Sequence, residues 1–130
     1  MPPTPATIPG PDGDPSIAGL VRAAVKVPSW FTAGAALRVA RLKGVEQVMV
    51  LDRQRLVGTA SARSLARSPA HELVGRWMSP IRVSVAPETR RGEAWTLMAR
   101  EGLECLPVVS GALLVGVLTR SDLLDASLAL

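Results

Sequence analysis

Residues 25–65 read VKVPSWFTAGAALRVARLKGVEQVMVLDRQRLVGTASARSL, and residues 83–123 read VSVAPETRRGEAWTLMAREGLECLPVVSGALLVGVLTRSDL. Laid over one another at a constant offset of 58, without a gap, the two stretches agree at 11 of 41 positions. The pairs are Val25/Val83, Val27/Val85, Gly34/Gly92, Ala36/Ala94, Gly44/Gly102, Glu46/Glu104, Val50/Val108, Leu56/Leu114, Val57/Val115, Gly58/Gly116 and Leu65/Leu123, with Ser61/Thr119 a conservative swap. A self-similarity that keeps its glycines in register marks two copies of one supersecondary unit.

Each copy changes period in the same order. A short alternating strand (Val25, Val27; Val83, Val85) runs into a proline, and a helix follows. In the second copy Thr89 is placed to cap that helix, Ala94, Leu97, Met98 and Glu101 recur at helical spacing, and Gly102 ends the run. In the first copy Leu37, Ala40 and Leu42 supply the stripe and Gly44 closes it. Two apolar runs come next, 47–51 and 56–60, then 105–109 and 113–118, each pair split by a polar or glycine-containing turn, as in paired strands. A last helix opens at Ser61 or Thr119, whose hydroxyls suit an N-cap. The reading is α+β: strand, helix, strand, strand, helix, twice. One copy is too small to bury both faces of its sheet, so the two are expected to pack pseudo-symmetrically as one module.

Outward from the repeats, residues 1–15 are rich in proline with only Ile8 as a sizeable apolar residue, and are expected to be disordered. His71, Leu73, Val74, Trp77 and Met78 suggest an amphipathic helical connector that stops before Ser79 and Pro80. The expected division is a tail at 1–15, a first repeat with its N-terminal segment and connector at 16–78, and a second repeat at 79–130.

The 130 residues are about the size of one compact domain, and 48% apolar residues suffice for a core. Aromatic residues are 3% with no tyrosine, so packing must rely on Val, Leu, Ala and Met. The formal charge is +4, and from Ser16 onward 15 basic face 9 acidic residues. Thirteen of the basic residues are arginine, which suits phosphate or carboxylate, but they are scattered along the chain. Cys105 is the only cysteine, which excludes an internal disulfide and fits a reducing cytoplasm. No apolar run reaches the roughly 18 residues of a membrane helix, and no signal-like N-terminus is visible.

With these elements in order, the chain resembles the CBS-domain pair, or Bateman module, from Leu20 to Leu128, and is read as a stand-alone CBS-domain protein. The second copy carries the resemblance best: Val83-Ser-Val-Ala-Pro-Glu-Thr, Glu93-Ala94, Gly102-Leu-Glu-Cys-Leu-Pro107-Val-Val, and Gly116-Val-Leu-Thr119-Arg-Ser-Asp122-Leu-Leu. Val74 to Met78 resembles the family's lead-in. The resemblance implies two symmetry-related clefts, a flat homodimer, and a ribose held by Thr or Ser followed three residues later by Asp. Here that motif falls on Thr119 and Asp122.

The chemistry suits that role. In a helix's first turn, residues three apart share a face, and an ionised carboxylate accepts from both hydroxyls of a diol. The same two residues also suit plain duties, Thr119 as a cap and Asp122 at the positive helix end. The first copy has Ser61 and Ser64 in their place, so its cleft is expected to be weak or empty, and Met49 replaces Pro107. Val85, Cys105, Leu106, Pro107 and Val117 are candidate walls for an adenine, or simple core strand. Arg82 and Arg120 are candidate phosphate contacts, or solvated side chains. Glu104 and Glu46 place acid where phosphates would lie, which favours AMP, adenosine or S-adenosylmethionine over ATP.

No metal-ligand cluster, phosphate loop or catalytic carboxylate pair stands out, and His71, the only histidine, has no reason to approach Cys105. The expectation is a non-catalytic, cytoplasmic sensor with no required cofactor and no metal. It binds an adenosine-type regulatory ligand between its repeats and passes occupancy to a dimer partner or to a regulated enzyme or transporter. A ligand-free interaction scaffold is the alternative, and a nucleic-acid-binding module a less favoured one. Trp30 and Phe31, aligned with polar residues of copy two, are candidates for a dimer contact.

Overall fold

A computed structural model describes residues 13–128. Of the tail at 1–15 expected to be disordered, residues 1–12 lie outside that range, whereas Asp14 and Pro15 are hydrogen-bonded to the second repeat. The chain divides into two compact units.

The first comprises Ala23–Val83 with Gly111–Leu114. Its elements are strand β1 (Lys26–Pro28), helix α1 (Ala33–Lys43), strands β2 (Gln47–Asp52) and β3 (Arg55–Ser61), helix α2 (Ala62–Ala66) and strand β4 (Ser79–Pro80). The sheet order is β1-β2-β3-β4. β1 runs parallel to β2 through Val27↔Val50, while β2/β3 and β3/β4 are antiparallel. The two-residue turn Arg53-Gln54 has positive φ at both positions, the hairpin geometry that matches strand twist.

The core is made of small residues: Val27, Ala33, Ala36, Ala40, Val48, Val50, Ala60, Leu65 and Val74 are all buried. Alanines on its inner face let α1 lie close to the sheet. The helical stripe therefore sits on Ala33, Ala36 and Ala40, and Leu42, assigned to it from spacing, is 83% exposed. Two residues beyond Ala40, it has rotated off the buried face. Thr32 caps α1 by accepting from the Ala35 N–H at 3.1 Å, and Gly44 ends it in the left-handed conformation. The connector helix shrinks to one 3-10 turn, Val74–Arg76, with Gly75 at its centre.

The second unit joins the N-terminal segment to the second repeat. It holds a 3-10 turn (Ala18–Leu20), helix α3 (Arg91–Glu101), strand β5 (Cys105–Ser110), strand β6 (Leu113–Thr119) from Val115 onward, and helix α4 (Arg120–Leu128). β5 and β6 pair with each other, and Gly102 ends α3 as Gly44 ends α1. The first strand of this copy is reduced to a single parallel bridge, Val85↔Val108, the 58-offset image of Val27↔Val50. The cause is Pro107: its counterpart Met49 donates its N–H to Val25 O at 2.8 Å, and proline has no N–H to give. Thr89 does not cap α3. The cap position falls on Arg90, and the Thr89 hydroxyl accepts from the Ala86 N–H instead.

The N-terminal segment is tied to this repeat from its first described residues. Asp14 accepts from the Gly92 N–H at 2.8 Å, Pro15 O from Arg91 at 3.0 Å and Thr89 O from Ile17 at 2.8 Å, and Ile17 is fully buried. Its end, Val21-Arg22, lies against β6 through the bridge Arg22↔Val117. In the first-repeat unit β4 does the same to β3, with Gly58↔Pro80 and Thr59↔Ser79. Residues 21–22 and 79–80 are again 58 apart. Each copy's final strand thus carries a short lead-in segment.

Candidate functional site

The two residues of the expected motif meet at the first turn of α4. Thr119 Oγ1 accepts from the Asp122 N–H at 3.1 Å, and in the first copy Ser61 accepts from the Ser64 N–H at 3.0 Å. Each hydroxyl therefore caps its helix, and each has its own proton left to donate.

The Asp122 carboxylate has a partner that spacing did not reveal. Arg22 Nε donates to Oδ2 at 2.8 Å and Nη2 to Oδ1 at 2.7 Å, a bidentate fork. The Asp122 side chain is 10% exposed and that of Arg22 69%. The fork holds the Asp122 carboxyl below its ordinary pKa; burial opposes this, and the Thr119 bond and the Arg22 charge add to it. The guanidinium of Arg22 is raised in turn, first by that bond and then by the Asp122 charge. Asp122 is therefore an anion at neutral pH that demands two donors on one side.

Backbone contacts set where Arg22 stands. Its N–H donates to Val117 O and its own carbonyl accepts from the Val117 N–H, both at 2.9 Å. The approach is close because Gly116 has no side chain: a Cβ there would run into the Arg22 carbonyl oxygen and lie 2.7 Å from Val21 Cγ1.

The other sequence-predicted residues divide by strand alternation. Cys105 and Pro107 on β5 and Val117 and Thr119 on β6 alternate with Leu106, Val108 and Leu118, which are fully buried core; of the first four, Pro107 is buried too. Leu106 thus points away from the Cys105 face. Burial, and then the Asp122 charge, push the Cys105 thiol up to about 11. Val85 is buried and bridges Val108.

Arg120 is engaged: its Nη1 donates to Glu104 Oε2 at 3.1 Å, and its guanidinium lies over the Trp95 ring, 5.9 Å from the centroid. Arg82 belongs to the other compact unit and is exposed. In the first copy the positions equivalent to Asp122 and Arg22 are Ser64 and Pro80, so neither member of the ion pair is present. That unit has instead a cavity of about 440 Å³ lined by Phe31, Ala35, Arg38, Val39, Leu42 and Ala70 among others, none of them a sequence-predicted ligand residue. Among the described residues no cluster of His, Cys, Asp and Glu is arranged to hold a metal ion.

The family model for the CBS domain matches residues 74–129. The chain therefore contains a CBS domain. Its α+β fold is that of the CBS pair. Over 86% of its length this CBS-domain protein superposes with a TM-score of 0.78 and 31% identity on the cytosolic domain of the Mg2+ channel MgtE in complex with ATP, of which it spans 48%. It matches the CBS domains of a transcriptional regulator from Streptococcus pneumoniae at 23% identity (TM-score 0.76, 85% of this chain and 97% of that one). CBSX2 in complex with AMP matches at 24% identity (TM-score 0.76, 88% and 96%). No curated protein matches this CBS-domain protein in sequence. No helix among its described residues is long and apolar enough to cross a membrane.

Proposed function

We propose that the second repeat binds an adenosine-containing ligand through Thr119 and Asp122, and that the protein is a regulatory, non-catalytic sensor. One observation carries this reading. Asp122 is a nearly enclosed carboxylate, ionised, facing a partner that presents two parallel donors. A ribose diol presents the same donor pair, so it can replace the Arg22 fork, and the Thr119 hydroxyl beside it keeps a proton to donate. Complexes of structural neighbours with ATP and with AMP support the ligand class. Cys105, Pro107 and Val117 share a strand face with Thr119 and are the wall residues retained in the proposal. The first copy, with Ser64 and Pro80, has no carboxylate to accept from a diol. Occupancy would be read out by a dimer partner or a regulated protein.

Calorimetry with adenosine, AMP, ATP and S-adenosylmethionine tests it. Asp122→Ala should weaken binding roughly 10- to 100-fold, the worth of a hydrogen bond to a charged group. Equal affinity in the variant removes Asp122 from the site.

The ligand-free scaffold is favoured by a specific observation too: Arg22 already satisfies Asp122, as a purely structural clamp would. Thermal shifts separate the two, since a ligand at 100 times its Kd adds about 2.7 kcal/mol to stability. No shift with any adenosine compound selects the scaffold.

A further inference from the structure

We propose that Arg22 sets the ligand preference of this site: its guanidinium occupies Asp122 until a ribose diol displaces it, then pairs with the ligand's phosphate, so that adenosine 5′-monophosphate binds better than adenosine or ATP. The inference rests on the ribose reading above and adds to it the residue that discriminates.

The backbone of Arg22 is fixed. Two hydrogen bonds to Val117, two residues before Thr119, hold it whether or not its side chain stays on Asp122. The side chain itself is largely in water, so it can leave the carboxylate without opening the core. A displaced guanidinium on a fixed root remains beside the ligand that displaced it, and a phosphate is the partner that matches its fork geometry.

The neighbouring charges limit the phosphate count. Arg120 is held by Glu104 and stacked on Trp95, so it is already spent on its own carboxylate. Asp125 acts on Arg22 as a further negative charge. Arg22 and Arg120 thus face Glu104, Asp122 and Asp125, a local surplus of acid. Arg22 is the one cation of this group released by diol binding, enough for one phosphate; each further phosphate meets uncompensated acid.

The repeat supplies an internal control. The carboxylate and the arginine occur together in the second-repeat unit, and both are absent from the equivalent positions, Ser64 and Pro80, of the first. A guanidinium needed only to fasten a lead-in strand is not matched there: β4 pairs with β3 without one.

The test is calorimetry of adenosine, AMP and ATP against the full chain and its Arg22→Gln and Arg22→Lys variants. In the unaltered protein AMP should bind roughly 3- to 10-fold tighter than adenosine, the range of a partly exposed charge pair, and at least as tightly as ATP. Arg22→Gln should bind adenosine more tightly than the unaltered protein does, because its competitor is gone, and AMP less tightly, bringing the ratio near one. Arg22→Lys keeps a cation without a fork, and should gain adenosine affinity while retaining an AMP preference. If Arg22 only straps down the N-terminal segment, both ligands shift by a common factor and the ratio stays, which overturns the proposal while leaving the ribose site standing. If no adenosine compound binds any of the three proteins, both readings fall together. Tighter binding of ATP than of AMP overturns the charge argument.

Discussion

Replacing Gly116 by alanine should release the N-terminal lead-in from the second repeat. A Cβ on residue 116 would collide with the Arg22 carbonyl oxygen and stand 2.7 Å from Val21 Cγ1 and 3.2 Å from the Arg22 carbonyl carbon. Two of these three atoms are backbone, which cannot rotate aside as a side-chain tip can, so residues 21–22 must move as a piece. The movement costs the two Arg22/Val117 backbone hydrogen bonds, each worth about 0.5–1.5 kcal/mol net. Alanine returns roughly 0.5–1 kcal/mol by restricting the unfolded chain relative to glycine. At the middle of these ranges the balance is a loss of about 1 kcal/mol.

For a domain of this size that corresponds to a fall in Tm of roughly 3–6 °C. Differential scanning calorimetry measures it, with Gly19→Ala as the control: nothing lies within 4 Å of a Cβ at residue 19, and its φ is not positive, so its Tm should stay within about 2 °C. Hydrogen exchange gives the local readout, because the Val117 amide loses its acceptor in Gly116→Ala and should exchange faster. A Gly116→Ala protein that melts with the control and keeps the Val117 amide protected would refute the reasoning.

Three further outcomes are expected. Since Arg22 and the Thr119 bond hold the Asp122 carboxyl below its ordinary value against the opposing effect of burial, its contribution to stability is complete above the normal carboxylate range and lost as pH falls through the lowered folded value. Urea unfolding of the unaltered protein and Asp122→Asn from about pH 7 to about pH 2 should give curves that converge on acidification; divergence contradicts the sign. Cys105, pushed up to about 11, should be roughly one part in a thousand thiolate near pH 8 and react slowly with a disulfide reagent, and Asp122→Asn should speed the reaction by removing the second cause of the shift. An unchanged rate would place Asp122 outside its influence. Met98→Ala, which empties a fully buried position, should cost about 2–5 kcal/mol, whereas Leu42→Ala should change stability by less than about 0.5 kcal/mol; equal losses in urea denaturation would argue against the observed rotation of α1.

The local grammar of the sequence was enough for most elements. β2, β3, β5 and β6 fall within a residue or two of the apolar runs that announced them, and both helix ends lie on glycines in the left-handed conformation, since turn chemistry and alternation are settled by neighbours in sequence. What spacing misjudged depended on partners elsewhere in the chain. Leu42 counts as a stripe residue only if the helix turns a leucine face to the sheet, and the alanines at 33, 36 and 40 make a closer approach available. Val83 and Val85 read as a strand, yet the strand needs a donor from residue 107, where proline stands. The length of one element was thus decided by a residue twenty-odd positions away.

The site follows the same division. Thr119 and Asp122 were legible because a helix's first turn brings them together, and the second repeat was distinguishable from the first by Ser64, which supplies no carboxylate, and by Met49 in place of Pro107. Arg22 was not legible that way, being 100 positions from its carboxylate. One signal was nevertheless within reach: the 58-residue register continues one step outward from the matched stretches, pairing Val21-Arg22 with Ser79-Pro80, and Gly58 and Gly116 are shared by the copies because each must let a lead-in backbone pass. The glycine marks where the lead-in crosses, and the residue crossing there is arginine in the copy whose last helix carries an aspartate in its first turn. The carboxylate at 122 and the cation at 22 are therefore one feature of the second repeat, and a change to either should be judged by what it does to the other.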